Sequence, residues 1–220
     1  MNHFHRFPLG AGALLAALVL APAAVHGHAG VEHASTAQAA NYTRSLHDYR
    51  VPEVSLIDQF GKRLRLKSLL EAGDPVLLQF VFTSCTTVCP VQAAVFSNAQ
   101  PALAELGRPY QMVSISIDPE QDAPGQLLEF ANKFKAGAQW RFLTGARQDV
   151  AQVLKAFGAT LPANNKMFHQ PYTFLHAGSG SQWVKLDGML SLAELAAECK
   201  TAFAPTGAQT VQLARQPSRQ

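Results

Sequence analysis

VLLQFVFTSCTTVCP, residues 76–90, is the stretch of sequence that determines which fold to expect. Residues 76–82 form a nearly continuous apolar run, and such a run indicates a central β-strand covered on both faces. A loop then carries Cys85. Pro90 suits an early helical position, so we expect a helix to begin near Cys89. The stretch therefore predicts a strand, a loop and a helix, with two thiols at the bend between them.

Outward from this stretch, the apolar patterns alternate between strand and helix. Before it, two short apolar runs flank DQFG at 58–61, which is a hairpin signal. After it, we expect helices over 91–106, 127–134, 150–157 and 191–199, and strands over 112–117, 141–144, 172–176 and 183–186. The pattern predicts an α/β sandwich, with a mixed central sheet flanked by helices and an N-terminal β-hairpin. This order of elements resembles that of thioredoxin-like proteins.

The composition of the chain is that of an ordinary globular protein. It has 220 residues, of which 48% are hydrophobic and 15% charged, with a formal net charge of +3. This length is enough for one domain with a real core and extra segments at its ends. No basic block or aromatic-basic stripe occurs, which excludes nucleic acid as an expected partner.

The two ends of the chain differ from its middle in composition. Residues 1–29 contain an apolar run followed by small residues, which is typical of a cleaved export signal; an uncleaved membrane anchor is the alternative. Both interpretations predict a periplasmic location or one at the outer face of the cytoplasmic membrane. We expect 30–50 to be a flexible linker, 51–203 the folded domain and 204–220 a disordered tail.

The two cysteines at the bend have the spacing of a reactive or metal-binding pair. A thiol at a helix N-terminus is close to unpaired backbone N–H groups, which favour the thiolate. If the spacer between Cys85 and Cys89 were helical, the Cβ atoms would lie about 5–6 Å apart. A disulfide needs about 3.8 Å. The spacing therefore favours metal capture modestly over disulfide exchange, while Cys199, the third cysteine, is predicted to be a buried apolar residue.

A metal held by two thiolates needs a further ligand, and His169 is the best candidate. It precedes the strand predicted over 172–176, and in a thioredoxin-like sheet the start of that strand lies beside the dithiol loop. His176 ends the same strand and should lie at the far end of the sheet. The sequence therefore predicts a metal site of Cys85, Cys89 and His169.

Four stretches, in order, resemble the Sco/SenC family of copper-handling proteins. They are DQFG at 58–61, FTSCTTVCP at 82–90, SISIDPEQDAP at 114–124, and His169 followed by Phe174-Leu175 and the glycine turn at 178–180. The likeness covers about residues 50–199. It implies a thioredoxin fold and copper, as Cu(I) or Cu(II), held by Cys85, Cys89 and His169.

The same resemblance implies a function and partners. Family members deliver copper to the dinuclear copper site of a respiratory cytochrome oxidase, or reduce that site. The implied partners are the copper-site subunit of the oxidase, copper donors and thiol reductants. Soft thiolates do select Cu(I) over hard cations. Zinc is the main rival, but a structural zinc site normally has four protein ligands.

Other interpretations of the same residues remain open. Without stable copper binding, the chain would be an exported thiol-disulfide oxidoreductase that uses Cys85 to attack and Cys89 to resolve. Pro171 resembles the cis-proline of such reductases, although a trans proline at a strand start is commoner. A peroxide-reducing enzyme is the weakest alternative, because no arginine accompanies Cys85. The acidic residues of DPEQD at 118–122 are expected to end a strand and cap the next helix.

Overall fold

The computed structural model describes residues 41–180 and 182–204, and the predicted alternation of strands and helices is present. The strands are β1 (Tyr42–Asp48), β2 (Ser55–Asp58), β3 (Arg63–Arg65), β4 (Val76–Val81), β5 (Gln111–Ser116), β6 (Trp140–Thr144), β7 (Tyr172–His176) and β8 (Gln182–Gly188). The helices are α1 (Leu66–Leu70), α2 (Val88–Ala104), α3 (Pro124–Lys133), α4 (Arg147–Ala156) and α5 (Leu192–Ala202). Two short 3₁₀ turns, Pro162–Asn164 and Lys166–Phe168, lie between α4 and β7.

All eight strands join one mixed sheet in the order β1-β8-β7-β4-β5-β6-β2-β3. Strands β4, β5 and β6 are parallel, whereas β7 runs antiparallel to β4. Every residue of β4 is buried, as its continuous apolar run predicts. The hairpin of β2 and β3 around 58–61 is confirmed, and so is the thioredoxin-like α/β class.

Two apolar clusters cover the two faces of the sheet. Alternate residues of β4 enter different clusters because side chains of a strand point to opposite faces. Leu78 and Phe80 pack with residues of α1 and α4, whereas Leu77 packs with residues of α2, α3 and α5. The first cluster also contains Cys85 and Cys89. The dithiol is therefore built against the core rather than held on a free loop.

The linker predicted over 30–50 is wrong for its last part. Residues Tyr42–Asp48 form β1, which pairs antiparallel with β8 along its whole length. Six of its seven residues are exposed, so the sequence here lacks the alternation of apolar and polar residues that predicts a strand. The backbone pairing, together with hydrogen bonds from Tyr42 and Arg44 to Glu198 of α5, holds β1 in place. The predicted signal or anchor (1–29), the rest of the linker, and residues 205–220 of the predicted tail lie outside the described residues.

Among residues 41–180 and 182–204, no helix has both the length and the apolar character required to cross a bilayer.

Candidate metal centre

The loop that follows β4 carries Cys85, and the first turn of α2 carries Cys89. The backbone N–H of Cys85 donates to the Phe82 carbonyl at 3.1 Å, which turns the chain sharply at the end of the strand. The backbone N–H of Cys89 then donates to the Cys85 sulfur at 3.4 Å, and the Thr87 hydroxyl lies 3.7 Å from the same sulfur. Both cysteines are free thiols, Cys85 6% exposed and Cys89 fully buried.

The two thiols differ in acidity because their surroundings differ. Burial raises the pKa of Cys85, but hydrogen bonds from the backbone N–H groups of Cys89 and Thr87 outweigh it, and the net pKa is lowered. Burial raises the pKa of Cys89 far above its ordinary value, and the charges of Cys85 and Asp122 add to this effect. The structure therefore makes Cys85 the more acidic of the two thiols.

The imidazole of His169 lies beside the dithiol, at the end of the second 3₁₀ turn. Its Nδ1 is 4.0 Å from the Cys89 sulfur, and its Nε2 is 3.0 Å from the Phe80 carbonyl oxygen. A carbonyl can only accept, so Nε2 carries the ring proton and the lone pair of Nδ1 faces the sulfur. Burial lowers the pKa of His169, although the hydrogen bond to Phe80 opposes this, and the neutral ring is favoured. This tautomer is the one that a metal ligand requires.

The spacing of Cys89 and His169 is close to that of two ligands around one metal. In a tetrahedral site with bonds of about 2.3 Å to sulfur and 2.0 Å to nitrogen, the two ligand atoms lie about 3.5 Å apart. The 4.0 Å between Cys89 and His169 needs only a small closure. Across residues 41–180 and 182–204, no three Cys, His, Asp or Glu side chains form a ready-made metal cluster. The metal itself would have to draw the ligands together.

The other residues singled out in the sequence lie away from this centre or differ from expectation. His176 pairs with Val76 at the opposite end of β4, as predicted, and stacks on Trp183. Cys199 is buried in α5. The peptide bond before Pro171 is trans, so the resemblance to a reductase cis-proline is wrong.

The acidic residues after β5 do not cap α3, which corrects the expectation for 118–122. The N-cap of α3 is Ala123, and no side chain caps it. Asp118 pairs with Lys166, while Asp122 turns inward toward the dithiol loop.

Gln92 is a neighbour of the site that the sequence did not reveal. It lies on α2 one turn after Cys89, and its side-chain amide donates to the Tyr172 carbonyl at 3.0 Å and to the Thr173 hydroxyl at 3.1 Å. These bonds tie the helix that carries Cys89 to the strand that follows His169. A polar residue on an otherwise buried helix face was the available signal.

Comparison with known proteins identifies a family model that matches this chain and several proteins that are similar to it. The family model described as SCO1/SenC matches residues 44–204. The SCO1 protein homolog of Bacillus subtilis is 32% identical over 139 residues, which are 60% of this chain and 71% of that protein. The alignment covers less of some relatives, for example 46% of the mitochondrial SCO2 homolog of Bos taurus.

Two solved structures are similar over most of their length. BsSco, described as a member of the Sco family of cytochrome c oxidase assembly proteins with a disulfide switch, is 28% identical with a TM-score of 0.61, over 73% of this chain and 97% of that one. ScoI of Arabidopsis thaliana with copper bound is 25% identical with a TM-score of 0.57, over 67% of this chain and 94% of that one. With a family model matched over most of its length, this chain belongs to the SCO1/SenC family.

Proposed function

We propose that this chain binds copper through Cys85, Cys89 and His169 and delivers it to the dinuclear copper site of a respiratory cytochrome oxidase. The observation that carries the proposal is the His169 ring, whose unprotonated Nδ1 faces the Cys89 sulfur while Nε2 is fixed by the Phe80 carbonyl. The copper-bound Arabidopsis relative and the description of BsSco as an oxidase assembly protein support it.

The proposed donor atoms, two thiolate sulfurs and one imidazole nitrogen, suit a metal that the protein binds temporarily and then transfers. Two thiolates and an imidazole suit copper, and soft sulfur ligands select Cu(I) over hard cations. Three protein ligands leave room for an incoming ligand from the acceptor, so that copper can move by ligand exchange. Cys85 is 6% exposed whereas Cys89 is fully buried, so an incoming ligand would meet the Cys85 sulfur first. We further propose that the protein is exported, works at the outer face of the cytoplasmic membrane or in the periplasm, and receives copper or electrons from separate donors.

Copper binding can be tested by titrating the reduced protein with Cu(I) in competition with a chromophoric chelator. We expect one equivalent to bind, and the affinity to fall by more than about 100-fold in Cys85→Ser and His169→Ala, since outer-shell changes alone cost about 10–100-fold. Cys199→Ala is the matched control, because Cys199 is a buried thiol in α5 outside the site. Wild-type affinity in both ligand variants would refute the proposal.

A second function, reduction of disulfides in a partner, is favoured by the different acidity of the two thiols. The Cys85 thiolate would attack a partner disulfide, forming a mixed disulfide and releasing one partner thiolate. Cys89, once deprotonated, would attack Cys85, release the second partner thiolate and leave an internal disulfide. The two electrons pass from the Cys85–Cys89 dithiol to the partner. The two functions are compatible, because a dithiol acceptor site must be reduced before it is loaded.

A trapping experiment separates this function from copper transfer. Cys89→Ser should accumulate a mixed disulfide with an oxidised peptide that carries the copper-site cysteines, whereas Cys85→Ser should accumulate none. If neither variant traps the peptide while the wild type still binds copper, transfer alone remains.

A further inference from the structure

Asp122 is a fully buried carboxylate whose hydrogen bonds all connect it to the dithiol side of the sheet. The Thr83 hydroxyl donates to it at 2.5 Å, and the Thr83 backbone N–H lies 3.1 and 3.3 Å from its two oxygens. The Ser116 hydroxyl, at the end of β5, donates at 2.6 Å. The carboxylate of Asp122 therefore accepts hydrogen bonds from residues at the ends of the neighbouring strands β4 and β5. Its side chain does not cap α3.

These contacts fix the point at which the dithiol loop begins. Thr83 is the second residue before Cys85, and both its backbone and its side chain are bound to Asp122, 39 residues away. The next hydrogen bond along the loop is the turn from Cys85 to Phe82, followed by the bond from Cys89 to the Cys85 sulfur. The direction of the chain toward Cys85 is thus set from outside the loop.

We propose that Asp122 is a positioning residue that acts through Thr83 and holds the Cys85–Cys89 loop in its open, reduced geometry. The inference deepens the proposed function and rests on it only for copper affinity. Cys85 and Cys89 are free thiols, and the Cys85 sulfur accepts a hydrogen bond from the Cys89 backbone N–H at 3.4 Å. A disulfide requires the two sulfurs to lie about 2.05 Å apart. Oxidation must therefore move the loop against the hydrogen bonds that anchor Thr83 to Asp122, which we call the clamp. The clamp thus favours the dithiol, which is the form that can receive a metal.

The redox step that reports on the clamp is exchange with glutathione. The protein dithiol reacts with glutathione disulfide to give the protein disulfide and two glutathione thiols. One sulfur–sulfur bond forms between Cys85 and Cys89, one breaks in glutathione disulfide, and two protons and two electrons pass to glutathione. The equilibrium constant of this exchange measures how strongly the fold favours the dithiol.

The test compares Thr83→Val, which removes the hydroxyl without changing the shape of the side chain, with Thr83→Ser, which keeps it. We expect Thr83→Val to shift the equilibrium about tenfold toward the disulfide, about 30 mV for this two-electron couple, and Thr83→Ser to stay near wild type. Thr144→Val is the matched control, because Thr144 is a buried threonine at the end of β6 whose hydroxyl has no hydrogen-bond partner among the described residues.

Asp122→Asn tests the other end of the same clamp. Its amide keeps the size of the carboxylate, but the NH2 group cannot accept from Thr83 or Ser116. We expect the same direction of shift, and Cu(I) affinity about tenfold weaker in Thr83→Val. An unchanged glutathione equilibrium in Thr83→Val, or an equal shift in Thr144→Val, would overturn the proposal even if Asp122→Asn does not fold. If the wild type binds no copper, the proposed function fails, while the glutathione comparison still decides the clamp.

Discussion

Cys85 and Cys89 are separated by three residues, yet the fold gives them opposite acidities. Cys85 receives backbone N–H groups at the start of α2, whereas Cys89 lies in the core with the Asp122 charge nearby. Since the thiolate is the reactive form, we expect iodoacetamide to modify Cys85 first, with a pH midpoint below the ordinary thiol pKa. Cys89 and Cys199 should both react more slowly, because burial raises the pKa of each thiol, that of Cys199 to about 12.

Mass mapping of alkylated peptides over a range of pH checks this order. The rate at Cys85 should exceed the rates at Cys89 and Cys199 by about tenfold or more at neutral pH, because reactivity follows the thiolate fraction and exposure. In the urea-unfolded protein all three thiols should react alike. Earlier labelling of Cys89 in the folded protein would contradict the assignment of Cys85 as the attacking thiol.

At the scale of single residues, the sequence predicts the location of some functional side chains but not their hydrogen-bond partners. His169 could be proposed because its place before β7 puts it near the carboxyl end of β4, where ligands gather in open sheets. Its tautomer could not, because the Phe80 carbonyl that fixes it is 89 residues away. The contact of Asp122 with Thr83 has no local signature either, since an acidic residue just before a helix is ordinarily a cap.

The elements of the fold follow from periodicity wherever one face is buried. The buried run of β4 is present, and the helix expected over 191–199 is α5, which begins directly after Ser191 with a capping box of Ser191 and Glu194. β1 could not be predicted, because an edge strand with exposed side chains on nearly all positions is defined by backbone pairing with β8. A pattern of side chains carries no information about such a pairing.

The turn between β7 and β8 provides a matched pair of glycines. Gly178 and Gly180 both have positive φ, 90° and 78°. A Cβ on Gly178 would lie 2.2 Å from the Gly73 carbonyl oxygen, whereas a Cβ on Gly180 meets no atom within 4 Å. We expect Gly180→Ala to cost about 1 kcal/mol of unfolding free energy from its backbone conformation, and Gly178→Ala about 1–3 kcal/mol more from the steric clash.

Urea unfolding followed by circular dichroism measures both values. The midpoint should fall further for Gly178→Ala than for Gly180→Ala, with similar slopes if the unfolded states are alike. Equal losses would mean that the turn does not pack closely against the loop before β4.

On the scale of the whole molecule, the proposed copper ligands connect parts of the chain that are distant in sequence. Cys89 and His169 are 80 residues apart, and Phe80, which orients the ring, lies on the central strand. Both cysteines pack in the cluster that covers one face of the sheet. A metal bound by the two cysteines and His169 would therefore stabilise the folded state as a whole and not only one loop.

This coupling predicts that Cu(I) raises the melting temperature of the reduced protein. A ligand that binds only the folded state adds about 2.7 kcal/mol when it is present at 100 times its dissociation constant. For a protein of this size, such a gain corresponds to about 5–10 °C. Affinity of the unfolded thiols for copper subtracts from the rise. The decisive comparison is therefore between His169→Ala, which keeps both thiols and should lose most of the rise, and Cys199→Ala, which should retain it. An equal rise in both variants, measured by calorimetry under reducing conditions, would mean that copper binds the thiols without the imidazole, and the three-ligand site would be wrong.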